Sequence, residues 1–309
     1  MTHGVCRQVV SPCAYRAGMS DHTCHRRISV DGIDTFYREA GSPDAPVLLL
    51  PHGYPASSFA YRRLLPALAD RWRLIAPDFP GCGYTADPED FAYDFDGYAR
   101  WLSAFTETLG VDRHALWLHD FGSQIGLRYA IAHPERIAAL VISNGDIYRD
   151  TLGPRYALLQ RYWDDPSLEN LAAIQTAVSS DGFREEILND VGAELAERIP
   201  PDMWELHWHL MTDRRRDIAV RVIAGLRDNL AWFPRYQAYL RDHRPPTLLL
   251  WGPQDRYMPE ESARAYLRDL PEAELHLLEA GHWVLETAFE ECVAVLRPFL
   301  DRVLSGREA

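Results

Sequence analysis

Six short apolar runs recur along the chain: "APVLLLPHG" (45–53), "RLIAPDFPG" (73–81), "ALWLHD" (115–120), "AALVISNGD" (138–146), "PTLLLWGPQD" (246–255) and "AELHLLEAGH" (273–282). Most are nearly continuous rather than alternating with polar residues, so they suit strands buried on both faces of a mainly parallel sheet. Helical patterns lie between most of them, at 58–70, 95–110, 123–133, 260–269 and 285–304. Such alternation predicts a doubly wound α/β domain. Ahead of it, "RRISVDGIDTFYREAG" alternates on both sides of Asp31-Gly32 and reads as a β-hairpin.

One interval breaks the rhythm. From about 147 to 240 the segments "YALLQRYW", "LENLAAIQTAV", "AELAERI", "MWELHWHLM" and "AVRVIAGLRDNLAWF" read as helices without a convincing strand. Ligands of open α/β sheets bind at the carboxyl ends of the strands, so a helical insertion leaving that edge is expected to sit over a binding site as a lid. The organisation expected is a core of residues 26–146 and 241–309, a helical cap of 147–240, and a poorly ordered leader of 1–25, where Met19 offers an alternative start.

The length of 309 residues allows a sizeable apolar core, and no uninterrupted apolar stretch approaches the length of a membrane span. A formal net charge of −13 argues against a polyanionic partner such as nucleic acid. The basic group "TDRRRDI" (212–218) has acidic neighbours and is expected to be a solvated helix face. Five cysteines, an odd number, and a start without an apolar signal core point to a reducing cytoplasm. Cys6, Cys13 and Cys24 lie near His3, His22 and His25, but the spacing matches no zinc pattern, and no metal or cofactor is expected.

The late strands end in reactive side chains: Asp120 after "LWLH", Asp255 after "LLLWGPQ" and His282 after "LHLLEAG". In chain order these are a nucleophile, an orienting acid and a histidine. An aspartate ending a buried strand is costly without a function. A strand-to-helix turn would project Asp120 into a cleft, with the following helix N-terminus keeping it ionised. Ser123 is a poor alternative nucleophile: the turn needs a small residue two positions on, where Asp120 has Gly122 and Ser123 has Ile125. It is read instead as a residue of the first helical turn.

"HGYP" (52–55), "PDFPGCG" (77–83), "HDFGSQIG" (119–126), "WGPQDRYMP" (251–259) and "AGHWVLE" (280–286) resemble the motifs of α/β-hydrolases, in the epoxide hydrolase and haloalkane dehalogenase branch with an aspartate nucleophile. The resemblance covers nearly the whole chain after about residue 26. It implies an α/β-hydrolase fold: a mostly parallel sheet flanked by helices, with an α-helical lid inserted before the last strands. It also implies catalysis by Asp120, Asp255 and His282. A carboxylate suits displacement at an sp3 carbon bearing a strained oxygen or a halide, giving an alkyl ester that His282-activated water would hydrolyse. The N–H groups of Tyr54 and Phe121 are the expected oxyanion pair, with a cis bond before Pro55 as in the resembled family. His52, Pro55 and Trp283 are expected to line the substrate pocket. His119 and Asp78 would shape the site's turns, and His114, His133, His207 and His209 are read as structural or surface residues.

Epoxide and halide chemistry differ in what receives the leaving group. The resembled dehalogenases carry Trp directly after the nucleophile and Asn after the "HG", where this chain has Phe121 and Tyr54. The resembled epoxide hydrolases use two lid tyrosines, and one expected position is Leu226. Tyr162 is the first candidate donor, with Trp163 beside it and Tyr148 in reserve. The activity expected is hydrolysis of an apolar epoxide to a vicinal diol. Organohalide hydrolysis is the first alternative and a non-catalytic binder on the same scaffold the second. The partners expected are a small apolar organic molecule and water, and a homodimer is compatible with the sequence.

Overall fold

A computed structural model describes residues 22–304. The leader residues before 22, with His3, Cys6 and Cys13, lie outside the described residues. Eight strands form one sheet: β1 (Cys24–Val30), β2 (Ile33–Ala40), β3 (Val47–Leu49), β4 (Arg73–Pro77), β5 (His114–His119), β6 (Ile137–Ser143), β7 (Thr247–Trp251) and β8 (Glu274–Leu277). Their order is β1-β2-β4-β3-β5-β6-β7-β8. β2 pairs antiparallel with β1 and β4, and every other pairing is parallel. The hairpin turns at Asp31 and Gly32, with φ of 49° and 83°, a left-handed pair that matches the twist of the flanking strands.

The apolar runs are continuous because each strand feeds two cores. On one face Leu49, Leu116, Leu118, Leu140, Ile142, Leu249 and Trp251 pack with Trp101, Leu102 and Phe105 of the helix Phe95–Thr108. On the other, Leu48, Leu50, Ala115, Trp117, Val141, Leu248 and Leu250 meet Leu64 and Leu68 of the helix Leu64–Leu68 and Leu296, Phe299 and Leu300 of Phe289–Leu304. Alternate residues of each strand thus go to opposite sides, as the pleat requires. The strands stop short of the runs' ends, because the apolar loops at the carboxyl edge are themselves buried.

The single helix expected over 285–304 is two, Val284–Thr287 and Phe289–Leu304, separated by Ala288 at φ −142° and ψ 49°. The region 58–70 likewise divides into a short 3-10 turn, Ser58–Tyr61, and the helix Leu64–Leu68.

Between β6 and β7 the described chain is helical, its longest members being Leu168–Ala177, Asp213–Asn229 and Phe233–His243. Ser167, Ser179 and Thr212 cap three of these helices, each side-chain oxygen accepting from a first-turn N–H. Arg128, from the helix Phe121–Ala132, donates to Tyr236 Oη and Asn229 Oδ1 at 2.8 Å each and joins the segment to the sheet's flanking helices. Two of the three arginines of "TDRRRDI" depart from a purely solvated face, while Arg216 pairs with the exposed Asp213. Arg215 donates to the carbonyls of Gly83 and Thr85 at 2.8 and 2.7 Å, and Arg214 to those of Asp87 and Pro88 at 3.1 and 2.9 Å. The 83–88 loop supplies carbonyls that only tertiary proximity reveals. No helix among the described residues is long and apolar enough to cross a membrane.

Candidate active site

β5 ends at His119, and the helix Phe121–Ala132 starts two residues later. The link is Asp120, held at φ 50° and ψ −132°, a conformation costly for a residue with a side chain. Its backbone N–H donates to the Asn144 carbonyl at 3.1 Å, and Ser123 N–H to its carbonyl at 2.9 Å. The turn fits only because its neighbours lack side chains. A Cβ on Gly122 would stand 2.6 Å from the Pro51 carbonyl oxygen, and one on Gly53 would stand 2.5 Å from Asp120 Cβ. Gly122→Ala is therefore expected to cost about 1–3 kcal/mol, as overpacking of a tight site does, and to misplace Asp120; thermal melting of the purified variant measures the first effect.

Asp120 is buried. Oδ1 accepts from Tyr54 N–H at 2.6 Å, and Phe121 N–H also bonds the carboxylate. Burial pushes this carboxyl above its ordinary range, while His282 and the two N–H groups pull it back. Oδ2 lies 3.7 Å from His282 Nε2. His282 Nδ1 is 2.7 Å from Asp255 Oδ2, which fixes the proton on Nδ1. Asp255 also accepts from Asn144 Nδ2 at 2.9 Å, Asn189 Nδ2 at 3.1 Å and Tyr257 N–H at 2.8 Å. Burial alone would raise Asp255, but the His282 charge and these donors hold it below the usual range. Burial would lower His282, yet Asp255, Asp120 and Glu186 outweigh it and push it up to about 9.

The neighbouring histidines are neutral supports. His52 Nε2 accepts from Phe79 N–H at 3.1 Å and its Nδ1 donates to the Gly53 carbonyl at 2.9 Å, tying two loops together. The His119 ring lies 4.7 Å from that of His282, tilted by 44°, and burial together with that neighbour lowers it to about 3. Asp78 accepts from Ser58 and Tyr84 N–H at 2.8 Å each. The Tyr54-Pro55 bond is cis.

Two cavities meet at the rings of Tyr54 and Phe121, which stack 5.7 Å apart and line both. The first is apolar and includes His52, Pro55, Cys82, Phe183 and His207. The second contains Asp120 with Tyr156, Leu159, Glu186, Leu226 and Tyr257. His52 and Pro55 thus line a cavity as expected of pocket residues. Trp283 lines neither of these two; it is buried against His119, Ala56, Ile187 and Met203.

The three donor candidates also lie elsewhere. Tyr162 lines a separate cavity with Asp96, Arg128 and Trp232. Trp163 is turned inward against Tyr156, ring centroids 5.7 Å apart, and is absent from the lining of the cavity that holds Asp120. Tyr148 donates to Asp269 Oδ2 at 2.6 Å and packs on Tyr266. Leu226 does face the cavity, so the position where the resemblance implies a tyrosine is there, without its hydroxyl. Sequence reasoning passed over Glu186, Tyr156, Tyr257 and Asn189. Tyr257, two residues after Asp255 in "WGPQDRYMP", was the most accessible signal.

Residues 46–289 match the family model described as alpha/beta hydrolase fold. An uncharacterized hydrolase of Saccharomyces cerevisiae is 31% identical over 264 residues, 83% of this chain and 90% of the relative. Haloalkane dehalogenase 2 of Mycobacterium bovis is 29% identical over 259 residues, covering 81% of this chain and 86% of its own length. The crystal structure of haloalkane dehalogenase DbeA from Bradyrhizobium elkani superposes with a TM-score of 0.76 at 20% identity, over 92% of this chain and 99% of that one. With this sheet order, a strained turn after its central strand and these relatives, the chain belongs to the alpha/beta hydrolase family.

Proposed function

We propose that the protein is an epoxide hydrolase with Asp120 as nucleophile and the helices between β6 and β7 as its cap. The observation that carries this reading is the setting of Asp120. Tyr54 N–H binds Oδ1 and Phe121 N–H also bonds the carboxylate, Oδ2 faces His282, and the cavity around them offers hydroxyl and carboxyl donors. Among the described lining residues there is no indole or carboxamide N–H to receive a halide, whereas Tyr257 and Glu186 are groups that can serve a developing alkoxide; the Tyr156 hydroxyl is given to Asp146 Oδ2 at 2.6 Å.

Asp120 Oδ2 attacks an epoxide carbon, the carbon–oxygen bond of the ring breaks, and a hydroxyalkyl ester forms. Esterification removes one of the negative charges that hold His282 protonated, so its affinity for a proton falls. Neutral His282 then takes a proton from water, which adds to the ester carbonyl while Tyr54 and Phe121 N–H stabilise the oxyanion. The imidazolium returns that proton to the departing diol oxygen. Asp255 keeps the imidazole in the required tautomer.

Hydrolytic dehalogenation is the second reading, favoured by the relatives named as haloalkane dehalogenases. One measurement separates the two: the intact mass of the His282→Gln variant after exposure to pools of epoxides and of organohalides. The expected result is a gain equal to a whole epoxide, mapped to the peptide containing Asp120. A gain equal to an organohalide less hydrogen halide establishes the second reading, and no gain from either pool refutes both.

A further inference from the structure

We propose that Glu186, working through the hydroxyl of Tyr257, is the acid that protonates the oxygen released when the epoxide opens. This inference rests on ester chemistry at Asp120 and names the donor that the chemistry requires. Glu186 lies on the helix Ser180–Leu188 and lines the same cavity as Asp120, with 24% of its side-chain surface accessible. Tyr257 Oη donates to Glu186 Oε2 at 2.9 Å, and Arg155 Nη2 stands 3.8 Å from the same oxygen. Tyr257 is fixed from behind, its N–H bonded to Asp255 and its ring edge-on to Tyr156 at 5.1 Å.

The groups facing Glu186 come from several elements: Arg155 before the first helix of the cap, Tyr257 after β7, Asp120 after β5, His282 after β8 and Tyr54 after β3. Burial pushes Glu186 up to about 7, against the opposing pull of Arg155 and the Tyr257 hydrogen bond. It is therefore substantially protonated in neutral solution, as a donor must be. A permanently ionised carboxylate in that place would repel the nucleophile and the alkoxide alike.

The balance of the step is complete. In the protonated form Glu186 is the donor across the same 2.9 Å contact with Tyr257 Oη, so the phenolic proton is free. Asp120 forms a carbon–oxygen bond, the epoxide carbon–oxygen bond breaks, and Tyr257 gives its proton to the alkoxide while taking one from Glu186. The resulting Glu186 carboxylate stays beside Arg155, which stabilises it. Ester hydrolysis adds water, leaving on Asp120 one proton that passes through solvent and restores Glu186.

The test uses the full chain carrying His282→Gln, which halts the reaction at the ester and removes His282 as a titrating group. Alkylation is followed by mass against time from pH 5 to 9, with an epoxide that labels this parent. The rate is expected to fall about tenfold per unit above pH 7. Adding Glu186→Gln is expected to slow labelling by about 10²-fold or more and to abolish that alkaline fall. Adding Tyr257→Phe instead is expected to slow labelling comparably and to flatten the alkaline fall, since Glu186 then has no route to the leaving oxygen, and this second variant guards against a misfolded glutamine variant. Absence of label on the parent with every epoxide overturns the epoxide hydrolase reading and the donor with it. A labelled parent whose Glu186→Gln form keeps the parental rate or the same alkaline fall overturns the donor alone, as does a Tyr257→Phe form with the parental rate.

Discussion

Turnover is expected to vanish in Asp120→Ala, with kcat lowered by about 10⁵-fold or more, the range seen when a nucleophile is removed from a preorganised site. His282 and the two N–H groups remain in that variant but have no ester to act on. The fold is expected to persist. Asp120 contributes a buried carboxylate, and removing that desolvated charge offsets the loss of its bonds to Tyr54 and Phe121 N–H, while the unfavourable φ stays with the alanine. A melting temperature at or above the parent's, with no turnover, is the combination that marks a nucleophile. A variant that melts earlier and retains a few per cent of activity would assign Asp120 to structure instead. Diol formation and thermal unfolding, measured on the same preparation, decide the matter.

Asp255→Asn is expected to have the next largest effect, lowering kcat by about 10⁴-fold, the scale seen when an orienting carboxylate becomes an amide. The amide presents N–H to His282 Nδ1, which drives the ring proton to Nε2, the atom that must accept from water. Alkylation of Asp120 does not need that atom, so the variant should show a burst of one equivalent followed by slow release. The pH response changes as well. His282 is raised from 6.5 to about 9, so its pairing with the carboxylates adds stability that is fully present below about 6.5 and is lost as pH rises through 9. In Asp255→Asn most of that alkaline loss should disappear, which denaturant titrations at pH 6 and 9.5 would reveal. An unchanged difference between the two pH values would mean that the pair does not govern stability there.

The sheet was legible because burial on both faces leaves its mark on consecutive residues: Leu48, Leu49 and Leu50 are apolar whichever way each points. The elbow was legible for a local reason, since the small residue that Asp120 needs is Gly122, two positions away. The positions of Asp255 and His282 at strand ends followed from the same runs. What escaped was set by tertiary approach. Tyr162 and Tyr148 carry the right group for a donor, but helix phase sends one to a different cavity and Asp269 claims the other. Glu186 sits in "FREEIL", a stretch that carries no motif in the sequence, and nothing local distinguishes it from Glu185 beside it. Arg214 and Arg215 were misread for the same reason: their partners are backbone carbonyls more than a hundred residues away in sequence.

Asn189, which ends the helix Ser180–Leu188 in a left-handed conformation, gives one hydrogen bond to Asp255 and accepts another from Arg256 N–H at 3.0 Å. A single amide thus joins the roof of the cleft to the residue that aligns its base. If that helix lifts, Asp255 loses a donor and the imidazole loses part of its anchorage. On the proposed mechanism, a water activated by His282 would therefore be at its most reactive only while this helix is seated against Asp255.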